Sequence, residues 1–430
     1  MTNALPDPSA TLAVPTTRTR RETPLSYLKA EAVEVRLFST VQDLPASSWK
    51  EAAREAGICL QVPYLRALED SKPLAMQFRY ALFFKGRKPV AAATFQILDS
   101  HAITNESKNR RVVGNRAGVL LRQGFDQLIA HLGRRLIRRQ IVCGNVFSSG
   151  PSGFTYTQDL SPKRAFECLQ QAVQRLYELD RGSSPIDAIL LKDLQRPTTT
   201  GLQVMTSKFY TLFRVDPIMV MNLPPHWTLF EDYLAELKSN YRRHAKKALR
   251  AGSKLKHQDL SVEQIEAEKK AIFALFHAVF KRAHFRFGCL SDDYFVHLKA
   301  QLQGQMNLRA YYLENRMVAF TANLIDGNVL QQHYVGLDYD SGLDMLLKHI
   351  LLDTVRMAID GGVRRIVFGR TASELKSSLG AQPLDVELLF RHRSPVPNWF
   401  LSELQRFIQP ASWTPRHAFR FSIDGSSGHS

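Results

Sequence analysis

Two stretches of the chain gather side chains able to bind or neutralise an anion. The first is Tyr241-Arg242-Arg243-His244-Ala245-Lys246-Lys247-Ala248-Leu249-Arg250. At helical spacing Arg242, Lys246 and Arg250 fall at i, i+4 and i+8, with Arg243 and Lys247 in a neighbouring row. Adjacent cations repel, so the stripe costs some stability unless an anion offsets it. Cations near a helix C-terminus also suit the helix dipole, so a solvated face is the alternative. The second stretch is Phe368-Gly369-Arg370-Thr371-Ala372-Ser373-Glu374-Leu375-Lys376-Ser377-Ser378-Leu379-Gly380. It begins where an apolar run ends, the place where α/β proteins put functional loops. Gly369 admits an unusual backbone turn or a close ligand approach. Arg370 offers a planar fork suited to phosphate or carboxylate, and Lys376 a point charge able to neutralise an oxyanion. These two are candidate catalytic residues, with Gly369 and Thr371 as candidate ligand contacts. A surface loop with a short helix and a glycine cap is the alternative.

Weaker signals lie on neighbouring apolar runs. Asn323, Gln332 and Tyr334 alternate along strands, where they either line a pocket or face water. His333, beside Tyr334, has the setting of a structural histidine more often than of a base. The four cysteines (Cys59, Cys143, Cys168, Cys289) are scattered without a CxxC pair, as in reduced, packed thiols of a cytoplasmic protein. Cys289 has no neighbouring signal of an activated thiol. Metal-ligand spacings, Walker loops and Gly-x-Ser-x-Gly are absent from the sequence, so no metal is expected.

These residues need a scaffold. The 430 residues suffice for two domains, and 44% apolar with 23% charged residues excludes wholesale disorder. No apolar run is long enough to span a membrane. The formal charge of +17 attracts phosphates in nucleic acid, nucleotide carriers, coenzyme A or anionic lipid. Pro6, Pro8, Pro15 and Pro24 suggest a disordered leader over residues 1–30. Residues 31–204 read as a first lobe, with strands Tyr80–Phe84, Val90–Leu98 and Ala188–Leu191 and helices Phe125–Arg139 and 162–180, the latter capped by Ser161-Pro162. A second lobe, 205–395, opens with a helix 228–251, whose start is the capping box Thr228-x-x-Glu231 and whose left-handed cap is Gly252. Ser261-x-x-Gln264 opens a further helix and Ser291 caps a third. A meander of Leu308–Leu313, Met317–Ile325 and Val329–Leu337 follows, then a helix Leu343–Ile359, a strand Arg365–Phe368, the loop 369–380 and a strand Glu387–Arg391. Residues 396–430 read as a helix and a tail, dispensable from about 412 onward. Phe83-Phe84 precedes Val90-Ala91 by the same six positions as Tyr311-Tyr312 precedes Val318-Ala319, a faint internal repeat.

The order of elements over 205–395 resembles the GNAT acyltransferase fold. The basic helix Tyr241–Gly252, the helix ending Ile359-Asp360-Gly361-Gly362 and the block Phe368-Gly369-Arg370…Lys376-x-x-x-Gly380 resemble its FemAB-like branch. The resemblance implies an α/β (α+β) fold of two tandem GNAT-like lobes, each a mixed, mostly antiparallel sheet flanked by helices. It implies N-acyl or aminoacyl transfer from an activated donor, acyl-CoA or aminoacyl-tRNA, to an amine. Lys376 would then sit near the reacting carbonyl, Arg242, Lys246, Arg250, Gly369, Thr371 and Asn323 would hold the donor, and His333 or Tyr334 would take the amine's proton. The glycine-rich pyrophosphate loop is replaced by Leu337-Asp338-Tyr339-Asp340-Ser341-Gly342, and no long helical arm is inserted. Two readings without catalysis compete: a basic nucleic-acid-binding protein, tRNA included, and a peripheral protein on an anionic membrane surface.

Overall fold

The computed structural model describes residues 33–99, 137–150, 153–179, 185–195, 202–282, 289–404 and 413–420. The expected leader and nearly all of the helix Phe125–Arg139 lie outside them; Arg139 itself begins a strand.

In chain order the first elements are β1 (Val33–Phe38), α1 (Ala46–Ala52), α2 (Val62–Asp70), β2 (Met76–Lys85), β3 (Lys88–Asp99), β4 (Arg139–Cys143), β5 (Phe154–Tyr156), α3 (Pro162–Leu179), β6 (Ala188–Gln195), α4 (Leu202–Thr206) and β7 (Thr211–Arg214). Next come β8 (Ile218–Asn222), α5 (Phe230–Glu236), α6 (Ser239–Ala251), β9 (Lys256–Asp259), α7 (Val262–Phe280), α8 (Tyr294–Leu302), β10 (Met306–Leu313), β11 (Arg316–Asp326) and β12 (Val329–Leu337). The last are α9 (Leu346–Asp360), β13 (Arg365–Gly369), α10 (Ser373–Ser377), β14 (Gln382–Leu384), β15 (Val386–His392) and α11 (Pro395–Leu404).

The strands form two sheets with one plan. The first runs β1-β2-β3-β4-β6-β15-β7, with β5 beside β3, and the second runs β14-β8-β13-β12-β11-β10-β9. In each, an antiparallel run meets one parallel step, β4 with β6 and β12 with β13, and a helix crosses between the parallel partners. The paired-aromatic repeat falls on equivalent hairpins. Phe83 faces Ala91 and Tyr311 faces Ala319, and in both ladders the register slips at the next residue.

The lobes are not contiguous in sequence. Thr211–Arg214 joins the first sheet, and the chain returns there at Val386–His392. Residues 215–217 link β7 to β8 and residue 385 links β14 to β15, so the first sheet takes two strands that a boundary at 204/205 assigns to the second lobe. Packing reinforces the join. Trp49, Tyr64, Leu82 and Phe84 share one buried cluster with Phe276, Tyr294, Phe295 and Phe320, a seam common to both lobes.

Several local expectations change for identifiable reasons. The helix 228–251 is two helices, because Leu237 is extended (ψ 140) and bridges Phe419. Asp232, not Glu231, accepts from the backbone N–H groups of Thr228 and Leu229 at 2.9 Å. Gly252 is not left-handed (φ −87); a Cβ there would lie 2.1 Å from His349 Nδ1, so glycine makes room for that ring. Ser291 gives its hydroxyl proton to the Ser71 carbonyl across the seam, at 2.7 Å.

Residues 413–420 belong to the second lobe's core rather than to a tail. Ala418 is buried, the Phe419 ring lies 5.4 Å from Trp227, and the Lys238 N–H donates to the Ala418 carbonyl at 2.9 Å. Gly380, at φ +105, makes room for Phe419, since a Cβ there would come within 2.0 Å of the ring. Phe419→Ala should therefore cost about 2–3 kcal/mol in a denaturant melt, below the full penalty for an enclosed phenylalanine. Ending the chain at residue 411 should lower the melting temperature more; an unchanged melt would show that this segment only rests on the surface.

Candidate active site

β12 and β13 pair in parallel only through Val329, Leu330 and Gln331 with Arg365, Ile366 and Val367. Just beyond, each strand carries an extra residue. On β12 the ladder to β11 passes from Gln332–Asn323 to Tyr334–Ala322, which leaves His333 over. On β13 the ladder to β8 passes from Val367–Val220 to Gly369–Met219, which leaves Phe368 over. Bulges bend and overtwist a strand, so the two strands part at this level.

The chain leaving β13 is strained. Gly369 (φ 72), Thr371 (φ 67) and Ala372 (φ 49) are left-handed, and the last two lack glycine's freedom. Lys376 compensates. It is 5% exposed, and its ammonium donates to the carbonyls of Phe368 (2.7 Å), Gly369 (3.3 Å) and Arg370 (2.6 Å). Burial pushes this lysine down to about 7. All three N–H groups are thus spent on the loop, and none is left for the oxyanion that the sequence assigned to it. Lys376 fixes the shape of the turn.

Arg370 reaches the other sheet. Its guanidinium pairs with the carboxylate of Asp193, which also accepts from Lys192 and, at 2.9 Å, from the Gly150 N–H. Asp193 is 1% exposed; burial acts to raise its carboxyl, but Lys192 and Arg370 outweigh that and hold it below the usual range. Lys192 donates as well to the Ser148 carbonyl at 2.7 Å. Residues 144–150 become a strap bound to both lobes: Gln331 donates to the Ser149 carbonyl (3.3 Å) and Tyr334 to the Phe147 carbonyl (2.7 Å). Gly369 faces Ser149, where a Cβ would come to 3.5 Å. The strap therefore lies against the parting strands.

The structure gathers Arg370, Gly369, Thr371, Lys376, His333 and Tyr334 around this point and leaves others elsewhere. Asn323 is fully buried on the α9 face of the sheet, its amide 3.8 Å from the Met357 sulfur. The stripe keeps its cations on α6: Lys246 and Arg250 are exposed, and Arg242 leans on the Ala235 carbonyl at 3.3 Å. His333 is a poor base, since burial pushes its imidazole down to about 3. Tyr334 is raised by burial and keeps its proton.

Three residues at this point, and Lys348 on α9, escaped the sequence reading. Lys192 and Asp193 directly follow the apolar run Ala188-Ile189-Leu190-Leu191 within β6, and a charged pair inside a buried strand was the available signal. Tyr294 donates to or accepts from His333 Nε2 at 2.6 Å. Lys348, in the first turn of α9, is 8% exposed, has no hydrogen bond or ion pair to a described residue, and is lowered by burial. The turn before it carries Asp338, Asp340 and Asp344.

Lys376→Met keeps the volume but strands three carbonyls, and should cost about 2–4 kcal/mol in chemical denaturation. Lys376→Arg should not restore it, because a planar fork cannot converge on three acceptors. His333 supplies a pH test. Between its ordinary value near 6.5 and about 3, the unfolded chain binds a proton that the folded chain refuses, so stability falls as pH falls through that window. A His333→Asn variant should lose less melting temperature between pH 7 and pH 4 than the parent; equal losses would place the titration elsewhere.

The acetyltransferase (GNAT) domain family matches residues 238–377. The crystal structure of FemX is similar in fold, with a TM-score of 0.51 and 11% identity over 86% of this chain and 100% of that one. A tandem GNAT protein from the clavulanic acid biosynthesis pathway gives a TM-score of 0.48 and 12% identity, over 85% of this chain and 99% of that one. No curated protein matches the sequence. Among the described residues no helix is long and apolar enough to cross a membrane. The chain has a GNAT-superfamily acetyltransferase fold built as two sheet-plus-helix lobes.

Proposed function

We propose that this protein is an N-acyltransferase of the FemAB-like kind, moving an acyl or aminoacyl group from an activated donor to an amine at the parting of β12 and β13. The observation that carries the reading is the pair of facing bulges at His333 and Phe368, which separate two parallel strands beside a strained, cation-rich loop. There the donor's carbonyl carbon forms a bond to the amine nitrogen, and its bond to the thiol or ribose oxygen breaks. The amine's proton passes to the leaving group or to water. Catalysis rests on positioning and on donors aimed at the carbonyl oxygen. Arg370, tied to Asp193, is a positioning residue, and so is Lys376.

The anionic part of the donor is assigned to α6 and the start of α9. Gly252, at the end of the stripe, packs on His349, the neighbour of the unpaired Lys348. The aspartates in the turn before α9 disfavour a pyrophosphate held in that turn, so the phosphates approach from the stripe. Aminoacyl-tRNA and acyl-CoA both meet this requirement.

Thermal melts with acetyl-coenzyme A, an aminoacyl-tRNA and the same tRNA deacylated test the assignment. A true donor at about 100 times its dissociation constant adds about 2.7 kcal/mol. Arg242→Gln with Lys246→Gln should fold normally, since exposed charges add little stability, and should weaken that donor most at low salt. Stabilisation by deacylated tRNA alone, with no transfer to an amine panel, would favour plain nucleic-acid binding. No response to any donor would sink the proposal.

A further inference from the structure

A buried polar thread crosses the seam and ends at His333. The Val146 N–H donates to Gln96 Oε1 (2.8 Å), and the Phe147 N–H donates to Asn145 Oδ1 (2.9 Å). A backbone N–H can only donate, so both amide oxygens are fixed toward the strap. Gln96 Nε2 then donates to Asn145 Oδ1 (3.2 Å), and Asn145 Nδ2 donates to Tyr64 Oη (2.7 Å). Tyr64 Oη lies 3.3 Å from Tyr294 Oη, and Tyr294 Oη lies 2.6 Å from His333 Nε2.

The two phenol protons can run either way, and counting decides between them. If Tyr64 donates to Tyr294 and Tyr294 to His333 Nε2, every group in the thread is satisfied and only His333 Nδ1–H is left over. If they run in reverse, His333 Nε2–H donates to Tyr294, and the Tyr64 proton has only the Cys59 sulfur, a weak acceptor. Nδ1 then remains without a donor as well. The first direction leaves one buried group unmet instead of two, and unmet buried groups are costly. The ring is also caged, 5.9 Å from Tyr64, 6.0 Å from Tyr294 and 4.5 Å from Tyr334. The titratable neighbours on α2, α8 and β12 are these three tyrosines, with Cys59 in the turn before α2, all raised by burial and so neutral. Among the described residues no charge favours an imidazolium there.

His333 Nδ1 is buried and has no partner among the described residues. It belongs to the bulged residue at which β12 leaves β13, flanked by Gln331 and Tyr334, which bind the strap. We propose that His333 is a catalytic hydrogen-bond donor, held by Tyr294 as the neutral Nδ1–H tautomer and giving that N–H to the carbonyl oxygen of the acyl donor. It neither gains nor loses a proton in the step; it stabilises the charge that gathers on that oxygen. The role rests on the acyl-transfer reading, whereas the tautomer does not.

Histidine ring 15N NMR of the full chain, with His333 identified by the signal missing in His333→Asn, reads the tautomer. The expected spectrum shows protonated Nδ1 and bare Nε2, without titration from pH 7 to pH 4, and loss of that single tautomer in Tyr294→Phe. A protonated Nε2, or titration near pH 6.5, overturns the inference. Turnover then tests the role, with whichever of acetyl-coenzyme A or aminoacyl-tRNA serves as donor. His333→Asn places an amide N–H near the Nδ1 position and should stay within about tenfold of the parent. His333→Gln and His333→Ala, if folded, should lose about a hundredfold in kcat with little change in KM. Equal turnover in all three variants overturns the catalytic role and leaves acyl transfer intact. No turnover with either donor sinks the transfer reading and the role together, while the spectrum still decides the tautomer.

Discussion

A carboxylate that is 1% exposed stays ionised only where donors converge on it, and at Asp193 they arrive from three separate parts of the chain. Lys192 comes from the same strand, the Gly150 N–H from the strap and Arg370 from the loop after β13. Taking a charge out of water costs several kcal/mol, so such a cluster is weak evidence for stability. Its consequence is geometric. Remove the carboxylate, and two cations face each other in a dry seam while the strap and the turn lose their shared anchor. Asp193 is itself left-handed (φ 59) in an otherwise extended strand, strain of the sort that persists only when its surroundings dictate it. The shape of the candidate site therefore depends on one residue of the opposite sheet.

That dependence gives a reason for the first sheet to take β15 and β7 from either side of the second sheet's stretch of chain. A cleft built from loops of two sheets keeps its dimensions only if the sheets cannot rock. Two links, three residues and one residue long, stitch their edges together, and the seam around Trp49, Tyr64, Phe276 and Phe295 fills the space between them. The two sheets share a strand plan and even a hairpin slip at Phe83 and Tyr311, yet they are not used alike. The parallel pair of the second sheet is bulged on both members and opens. The corresponding pair of the first sheet supplies the charge that braces it.

Periodic apolar residues and turn chemistry made most elements readable, and the aromatic pairs hinted at the repeat. The failures have a common physical cause, which is that the deciding partner is distant in sequence. Leu237 looks like one more position of a helix until Phe419 pairs with it. Gly252 looks like a cap until the ring of His349 occupies the space a Cβ would need. Lys376 was read, with Arg370 six residues before it and Gly380 four after it, as an oxyanion donor. Its ammonium faces backbone carbonyls because Thr371 and Ala372 turn left-handed, and no residue type announces that. The tautomer of His333 was not legible because it is set by a partner, whose orientation is inherited through Tyr64 and Asn145 from two backbone N–H groups.

The distribution of charge then says something that the total of +17 does not. Around the parting strands stand Lys192, Arg370 and Lys376, and the carboxylate of Asp193 pairs with the first two. Burial pushes Lys376 down to about 7, so near neutral pH its charge adds only in part. The immediate field is positive, and a low-dielectric wall on the seam side strengthens it. Asp340 and Asp344, exposed in the turn before α9, oppose that field on one side only. On α6 the exposed cations meet no acidic residue on their own helix. The stripe thus shares the sign of the buried cations at the candidate site.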